Sequence, residues 1–314
     1  MEVIEGVALS NLCDYSFGDQ SGQWGNIYTS FMKGANLLNT EFATKVFETK
    51  KKRDYMTLFI DNIRLYKRDV IEVKPEDEKY VFGLMDESNL LKLCKCYPMM
   101  KFIIFTNLED TPIDEDIFDC IPDNVLCISA VNAIEYGDKV IPAPYGVQRR
   151  MSPSDKRIDQ LESAMKCDID PSLFKLLYVN HNDSSHSDRV GLRDMFRDNA
   201  WANVDEKRVD YYNFLLNLAN HKFILCPRGN AIDCHRNWEV LYMRRVPVMK
   251  TDPYLVELFK DYPVLWVSNY SDVTEELLKE NDHLYEEAQK MDLSRLTLGT
   301  FFDKIISEYA HEHG

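Results

Sequence analysis

The chain has 314 residues, of which 45% are hydrophobic and 28% charged, a composition typical of a globular protein with about two domains. Its formal net charge of −15 argues against broad binding to nucleic acid or to an anionic membrane, because both need a basic face. No stretch approaches the roughly 18 apolar residues of a membrane-spanning helix, and Met1–Gly6 lacks the features of a signal peptide. We therefore expect a soluble, cytoplasmic protein, in which a polyanionic ligand requires a local cluster of arginines.

The first half of the chain alternates short apolar segments with helical ones, a pattern typical of α/β proteins with mostly parallel sheets. The predicted strands are Val3–Leu9, Met56–Ile60, Tyr80–Phe82, Lys101–Phe105 and Val125–Ile128. The predicted helices are Asn26–Leu38, Glu87–Cys94 and Asp114–Asp119. Val140–Val147 holds two prolines and a glycine and precedes the polar run Gln148–Lys156, so we predict the domain junction there.

The second half of the chain restarts this alternation. The predicted strands are Leu176–Val179, Lys222–Cys226, Val246–Met249 and Val264–Val267. The predicted helices are Asp188–Phe196, Tyr211–Leu218, Asp233–Met243, Thr274–Lys290 and Leu298–Ala310. We predict an N-terminal Rossmann-like domain over residues 1–147, a second one over residues 148–297, and a C-terminal helix, 298–314, that crosses back onto the first domain. A ligand cleft is expected between two such domains.

The segment Lys222–Lys250 carries the clearest chemical signal. A predicted buried strand runs into Pro227–Asn230 (Pro-Arg-Gly-Asn) and then into a helix, and ligands of open α/β sheets bind beyond the carboxyl ends of the strands. A glycine in that turn lets the backbone approach a phosphate, and the helix start offers free N–H groups and a partial positive charge. Asp233 is the expected N-cap of this helix.

Charged side chains surround this turn. Arg228 precedes the glycine, and His235 and Arg236 open the predicted helix. Arginine forks suit phosphate oxygens better than lysine does. Glu239 follows on the same side of the helix, where its carboxylate can accept hydrogen bonds from the 2′- and 3′-hydroxyls of a ribose. The alternative is that Arg236 and Glu239 form a surface ion pair.

These motifs resemble the exostosin-type glycosyltransferases. The resemblance rests on Phe-x-Leu-Cys-Pro-Arg-Gly-Asn, Asp-x-His-Arg-x-x-Glu and Val-Pro-Val within Lys222–Lys250, and on the upstream Leu-Leu-Tyr-Val-Asn-His-Asn of Leu176–Asn182. The family implies a GT-B fold, in which two Rossmann-like domains face each other across a cleft. It also implies a UDP-sugar donor, and inversion at the anomeric carbon without a required metal. Eukaryotic exostosins are usually membrane-anchored, so this chain is expected to be similar to soluble members of bacteria or large DNA viruses.

The resemblance also implies roles for individual residues. Arg228 and Arg236 would hold the diphosphate, Glu239 would hold the ribose, and Asn180 and Arg189 would lie by the phosphates or the donor sugar. The complete implied donor-binding set is Asn180, Arg189, Arg228, Gly229, Asn230, His235, Arg236 and Glu239.

An inverting transfer needs a base that deprotonates the acceptor hydroxyl, and in GT-B enzymes this base usually comes from the N-terminal domain. The loop Cys13–Gly25 is rich in glycine, polar groups and aromatics, which are typical of substrate-contacting loops. Asp19 is the first candidate for the base, with Asp14 and Asp61 behind it. The alternative is that glycine-flanked aspartates only form turns.

The sequence does not indicate a metal site. His181 and His186 are spaced four residues apart but lack further ligands, and the two Asp-x-Asp matches, Asp114–Asp116 and Asp168–Asp170, lie in predicted polar turns. We predict no metal and no cofactor beyond the UDP-sugar co-substrate.

Together these features predict an inverting glycosyltransferase that moves a sugar from a UDP-sugar to a hydroxyl of an oligosaccharide or glycan acceptor. UDP-xylose is the first candidate donor. UDP-glucuronate, UDP-galactose and UDP-N-acetylglucosamine follow. The alternatives are a nucleotide-sugar epimerase of related fold and a non-catalytic protein that binds nucleotide sugars.

Overall fold

A computed structural model describes most of the chain. The described residues are 12–16, 40–61, 72–73, 80–81, 91, 94–107, 121–133, 137–147, 156–167, 175–207 and 209–311. They fall into two compact units. The C-terminal unit is Tyr145–Thr300, and the N-terminal unit comprises the described residues up to Pro144 together with those from Phe301 onward.

The N-terminal unit contains a parallel five-stranded sheet with the order β1-β2-β5-β6-β7. Its strands are β1 Tyr15–Ser16, β2 Tyr55–Asp61, β5 Lys101–Asn107, β6 Val125–Ala130 and β7 Val140–Pro142. A separate antiparallel pair is formed by β3 Glu72–Val73 and β4 Tyr80–Val81. The apolar run Phe102–Phe105 is completely buried, as expected for a central strand of a parallel sheet that is covered on both faces.

Two helices are described in the N-terminal unit. Helix α1 spans Thr40–Lys50, and the last helix of the chain, α9, spans Leu298–His311 and belongs to this unit from Phe301 onward. The Phe302 ring stacks on Phe105 of β5 with a centroid distance of 4.9 Å, and Phe301 meets the same ring edge-on at 6.3 Å. These aromatic contacts fix the C-terminal helix to the sheet.

The C-terminal unit contains a second parallel five-stranded sheet with the order β9-β8-β10-β11-β12. Its strands are β8 Lys175–Val179, β9 Ala202–Val204, β10 His221–Leu225, β11 Val246–Lys250 and β12 Leu265–Val267. Strand β9 forms the edge of the sheet on one side of β8, and β10 pairs with β8 on its other side. The direction of winding therefore reverses between β8 and β10, and this switch point is where open α/β sheets bind ligands.

Helices and a buried apolar core complete the C-terminal unit. Its helices are α2 Arg157–Ala164, α3 Leu192–Phe196, α4 Tyr211–Ala219, α5 His235–Tyr242, α6 Pro253–Leu258, α7 Glu275–Glu280 and α8 Asp282–Lys290. The core cluster includes Leu177, Phe223 and Val248 from three neighbouring strands. The α/β class with parallel sheets, predicted from the alternation, is confirmed and is consistent with two Rossmann-like domains.

Two predicted helices differ from the observed ones. The helix predicted over Asp188–Phe196 is α-helical only from Leu192 onward, because Gly191 has a φ of 80° and separates a 3-10 turn from α3. The helix predicted over Thr274–Lys290 is split at Asn281, whose side-chain amide donates to the Leu277 carbonyl oxygen at 2.9 Å. A side chain that bonds the backbone in this way competes with continuation of the helix.

Several predictions fall outside the described residues. They are the strand Val3–Leu9, the helices Asn26–Leu38 and Asp114–Asp119, most of Glu87–Cys94, and both Asp-x-Asp matches. Among the helices that the structure describes, none combines the length and the apolar character needed to span a membrane.

Candidate functional site

The loop after β10 lies at the carboxyl end of that strand, beside the end of β8. Arg189 lies against this loop with only 7% of its surface exposed. Its guanidinium donates from Nε to the Arg228 carbonyl oxygen at 2.7 Å, from Nη2 to that of Pro227 at 3.0 Å, and from Nη1 to that of Asn182 at 3.3 Å. Burial lowers the pKa of Arg189. Three carbonyl oxygens thus accept from the guanidinium, so Arg189 shapes this loop. The place by the phosphates or the donor sugar that the family resemblance implied for Arg189 stays a prediction.

Gly229 lies at a tightly packed position of this loop. A Cβ atom there would lie 3.3 Å from Nη2 of Arg189 and 3.5 Å from the sulfur of Cys234. The Gly229 N–H donates to the same sulfur at 3.0 Å. The sequence had indicated a glycine that admits a phosphate, and in the structure this glycine also admits the side chain that supports the loop.

Unsatisfied donors lie on the two arginines predicted to bind the diphosphate. Nε and Nη1 of Arg236 are buried and have no hydrogen-bond partner in the described part of the chain, and the same is true of Nε of Arg228. The Arg236 guanidinium lies 5.6 Å from the ring centroid of Phe214, which desolvates it further. Buried polar groups are normally paired, so these donors are available to the acceptor oxygens of a ligand.

Arg193 was not placed in the site by sequence reasoning, yet it lies, like Arg236, within electrostatic reach of His181. Arg193 donates from Nη2 to the His181 carbonyl oxygen, pairs with Asp183 at 3.7 Å, and has a buried Nε without a partner among the described residues. It follows Arg189 by four residues, and this spacing was the available signal. The cationic character of the region therefore exceeds what the motif alone indicated.

His181 is only 3% exposed and follows β8 directly. Its Nε2 lies 3.2 Å from the Arg189 carbonyl oxygen, and because a carbonyl can only accept, Nε2 carries the proton. Burial, reinforced by the charge of Arg236, lowers the pKa of His181 to about 4. The imidazole is therefore neutral at pH 7.

His186 accepts from the Asp188 N–H at 3.2 Å, so both histidines have local contacts. The described residues contain no group of three or more metal-ligating side chains.

Glu239 is buried, with 4% of its surface exposed, in the middle of α5. Its Oε1 accepts a hydrogen bond from the Tyr211 hydroxyl at 2.8 Å. Burial raises the pKa of Glu239, while the Tyr211 hydrogen bond and the charges of Arg236 and Arg157 oppose that rise. The alternative of a surface ion pair between Arg236 and Glu239 is therefore wrong, since the carboxylate is not at the surface.

Asp233 is not the N-cap of α5. The helix begins at His235 with Cys234 as its N-cap, and no side chain caps it. Asp233 is completely buried and accepts hydrogen bonds from Tyr145 N–H at 2.8 Å and Trp238 Nε1 at 2.6 Å. Its other oxygen accepts from the N–H of Cys234 and the amide of Asn237. The Asp233 carboxylate thus connects the loop between β10 and α5 to Tyr145, where the C-terminal unit begins.

The other predicted donor-side residues are in local contacts. Nδ1 of His235 lies 2.8 Å from the Gly146 carbonyl oxygen, and its ring lies 4.6 Å from that of Tyr145. The Asn180 amide donates to Asp205 at 2.8 Å, beyond the end of β9. Asn230 is exposed, and its carbonyl oxygen accepts from Arg228 at 3.4 Å. The fold thus brings the predicted donor-side residues to one end of the C-terminal sheet or onto the segment His235–Glu239 of α5.

The three candidate bases belong to the N-terminal half of the chain. Asp19 lies outside the described residues. Asp61 is the last residue of β2, at the carboxyl end of that strand. Oδ2 of Asp14 accepts from Arg53, from Thr57 N–H at 2.7 Å and from Thr57 Oγ1 at 2.8 Å. Three donors thus engage Asp14 in joining the start of β1 to β2.

Comparison of the sequence with protein-family models and with curated proteins finds no match. The likeness to exostosin-type enzymes therefore remains a resemblance of motifs.

Proposed function

We propose that this protein is an inverting glycosyltransferase of the GT-B type that uses a UDP-sugar donor. One observation carries the proposal: the buried donors of Arg228 and Arg236 lack partners among the described residues, close to the switch point of the C-terminal sheet. A diphosphate offers the oxygens that such donors need. The buried carboxylate of Glu239, one turn further along α5, adds an acceptor for sugar hydroxyls.

In this proposal the C-terminal unit supplies electrostatic catalysis. Arg228 and Arg236 neutralise the charge that develops on UDP as the glycosidic bond breaks, and pre-arranged charges of this kind are a large part of enzymatic rate enhancement. The loop around Gly229, fixed by Arg189, holds these groups in place before the donor binds. A carboxylate from the N-terminal half, with Asp19 first and Asp61 next, takes the proton of the acceptor hydroxyl.

Release of UDP tests the proposal. The protein is incubated with UDP-xylose, UDP-glucuronate, UDP-galactose and UDP-N-acetylglucosamine, with and without acceptor saccharides, and free UDP is measured. A glycosyltransferase releases UDP in proportion to the glycosylated acceptor formed. An epimerase changes the sugar without releasing UDP, and that outcome would replace the proposal.

A non-catalytic nucleotide-sugar-binding protein is the second candidate. Asp14 is the one candidate base whose carboxylate is described, and it already accepts hydrogen bonds from Arg53 and Thr57. A carboxylate that is engaged in this way is a poor general base, and this observation favours binding without catalysis. Such a protein would bind UDP-sugars and leave both donor and acceptor unchanged.

A further inference from the structure

Tyr211 and Glu239 meet inside the C-terminal unit although they belong to different helices. Tyr211 is the first residue of α4, and its hydroxyl donates to Oε1 of Glu239 on α5 at 2.8 Å. Arg157, the first residue of α2, places its guanidinium carbon 5.9 Å from the centroid of the Tyr211 ring. Three helices therefore bring polar side chains together around one buried carboxylate.

The two oxygens of this carboxylate are not equivalent. Oε1 is occupied by Tyr211, and no second hydrogen bond to the Glu239 carboxylate comes from the residues that the structure describes. An ionised carboxylate offers about four acceptor positions, so most of its capacity is open. A buried carboxylate is costly unless donors satisfy it. A ligand held by the neighbouring Arg236 would have to supply those donors, and hydroxyl groups fit this need.

We propose that Tyr211 is a positioning residue that directs Glu239 towards the two ribose hydroxyls of a nucleotide and so gives the site its preference for an intact ribose. This inference rests on the proposed function, because it takes the ligand of Arg228 and Arg236 to be a uridine diphosphate. Tyr211 acts through Glu239 and holds one oxygen in place, which leaves the other oxygen aimed at the ligand.

Removal of the Tyr211 hydroxyl has two effects, and both are expected to weaken binding of the ribose hydroxyls. The side chain of Glu239 loses the contact that orients it, and its pKa rises further, because the Tyr211 hydrogen bond is the largest influence that opposes burial. The charges that still oppose protonation are Arg236 on the same helix and Arg157 on α2. A protonated carboxyl has fewer acceptor positions and donates a hydrogen itself, so it binds a hydroxyl pair less well.

Calorimetric titration of the full chain with UDP and with 2′,3′-dideoxy-UDP tests the inference. The wild-type protein is expected to prefer UDP by about tenfold or more, the loss typical of a hydrogen bond to a charged group. Tyr211→Phe and Glu239→Gln are expected to reduce this preference to about threefold or less, with affinity for the dideoxy compound within about twofold of wild type. Tyr212→Phe is the matched control, since Tyr212 is the next residue of α4 and contacts Cys167 instead.

The outcomes are distinct. A Tyr211→Phe variant that keeps the full preference for UDP, or that binds both nucleotides more weakly by the same factor, overturns the positioning role and leaves the proposed function intact. Equal binding of both nucleotides by the wild-type protein also overturns it. Absence of binding of either nucleotide to the wild-type protein contradicts the proposed function itself and removes the inference with it.

Discussion

Gly229 shows how closely one residue is constrained in the loop after β10. A methyl group there would lie 3.3 Å from Nη2 of Arg189, and this nitrogen is held by a carbonyl oxygen of the same loop. We expect Gly229→Ala to destabilise the fold by about 1 kcal/mol, as other small overpacking changes do, and to weaken UDP binding. Denaturant unfolding and UDP titration measure both effects.

Gly137→Ala is the matched control for this change. A Cβ atom at Gly137 would meet no atom within 4 Å, so this variant should be as stable as the wild type or slightly more stable. If Gly229→Ala behaved like Gly137→Ala in both measurements, the packing that we describe around Arg189 would be wrong.

His181 makes the stability of the protein depend on pH. Its pKa is lowered to about 4 from the ordinary value of 6.5, chiefly by burial. In the unfolded chain His181 is protonated below about pH 6.5, whereas in the folded chain it is protonated only below about pH 4. The free energy of unfolding therefore falls as the pH decreases from 6.5 to 4. We expect the protonation of His181 to cost about 3 kcal/mol of stability at pH 4 relative to pH 7.5.

Urea unfolding of His181→Gln at several pH values between 4 and 7.5 checks this expectation. The variant should lose part of the pH dependence, and the rest is expected from His221, whose pKa burial also lowers. His283→Gln, at an exposed position, should keep the wild-type dependence. An unchanged pH dependence in His181→Gln would contradict the buried, neutral state of this imidazole.

At the scale of elements, Asp233 connects the start of α5 to the segment around Tyr145. All four of its described hydrogen bonds are accepted by the carboxylate, from two backbone and two side-chain donors. Asparagine would turn an amide nitrogen towards at least one of these donors. We therefore expect Asp233→Asn to cost about 1–3 kcal/mol of stability, measured by denaturant unfolding.

Asp252→Asn provides the comparison for Asp233→Asn. Asp252 caps α6 by accepting from Tyr254 N–H at 3.0 Å, and asparagine caps a helix about as well as aspartate. This control should change stability little. Equal stabilities for the two variants would show that Asp233 is not the connection that its contacts suggest.

The elements also show what the sequence could predict. Strands β8, β10 and β11 are short apolar runs, and their expected and observed ends differ by at most one residue, because each run is buried on both faces. Strand β9 was not predicted, since Ala202–Val204 is too short to show any periodicity. The same holds for the break at Asn281, which depends on a side-chain hydrogen bond inside an otherwise regular helical pattern.

The candidate site was predictable where its residues share one segment. Arg228, Arg236 and Glu239 follow from the spacing along Lys222–Lys250. Tyr211 does not, because it reaches Glu239 across 28 positions and only the packing of α4 against the sheet brings the two together. The structural role of Arg189 was equally hidden, since a motif records that an arginine is present but not which carbonyl oxygens it binds.

At the scale of the whole molecule, each of the two units is built around its own parallel sheet, and the chemistry that we describe lies in the C-terminal one. The donor-side hypothesis therefore depends on Tyr145–Thr300, while the proposed transfer to an acceptor also assigns a base to the N-terminal half. For this reason nucleotide binding and sugar transfer are separate claims, and binding is the more central one.

Titration of UDP into the wild-type protein, Arg236→Ala and the exposed-site control Arg197→Ala tests this central claim most directly. Arg197 lies on the surface and pairs with Glu206, so its loss should leave UDP affinity unchanged. We predict that the wild type binds UDP and that Arg236→Ala binds it at least about tenfold more weakly, because charge-assisted contacts to the diphosphate are lost. Wild-type affinity in a folded Arg236→Ala variant, or no UDP binding by the wild-type protein, would contradict the account.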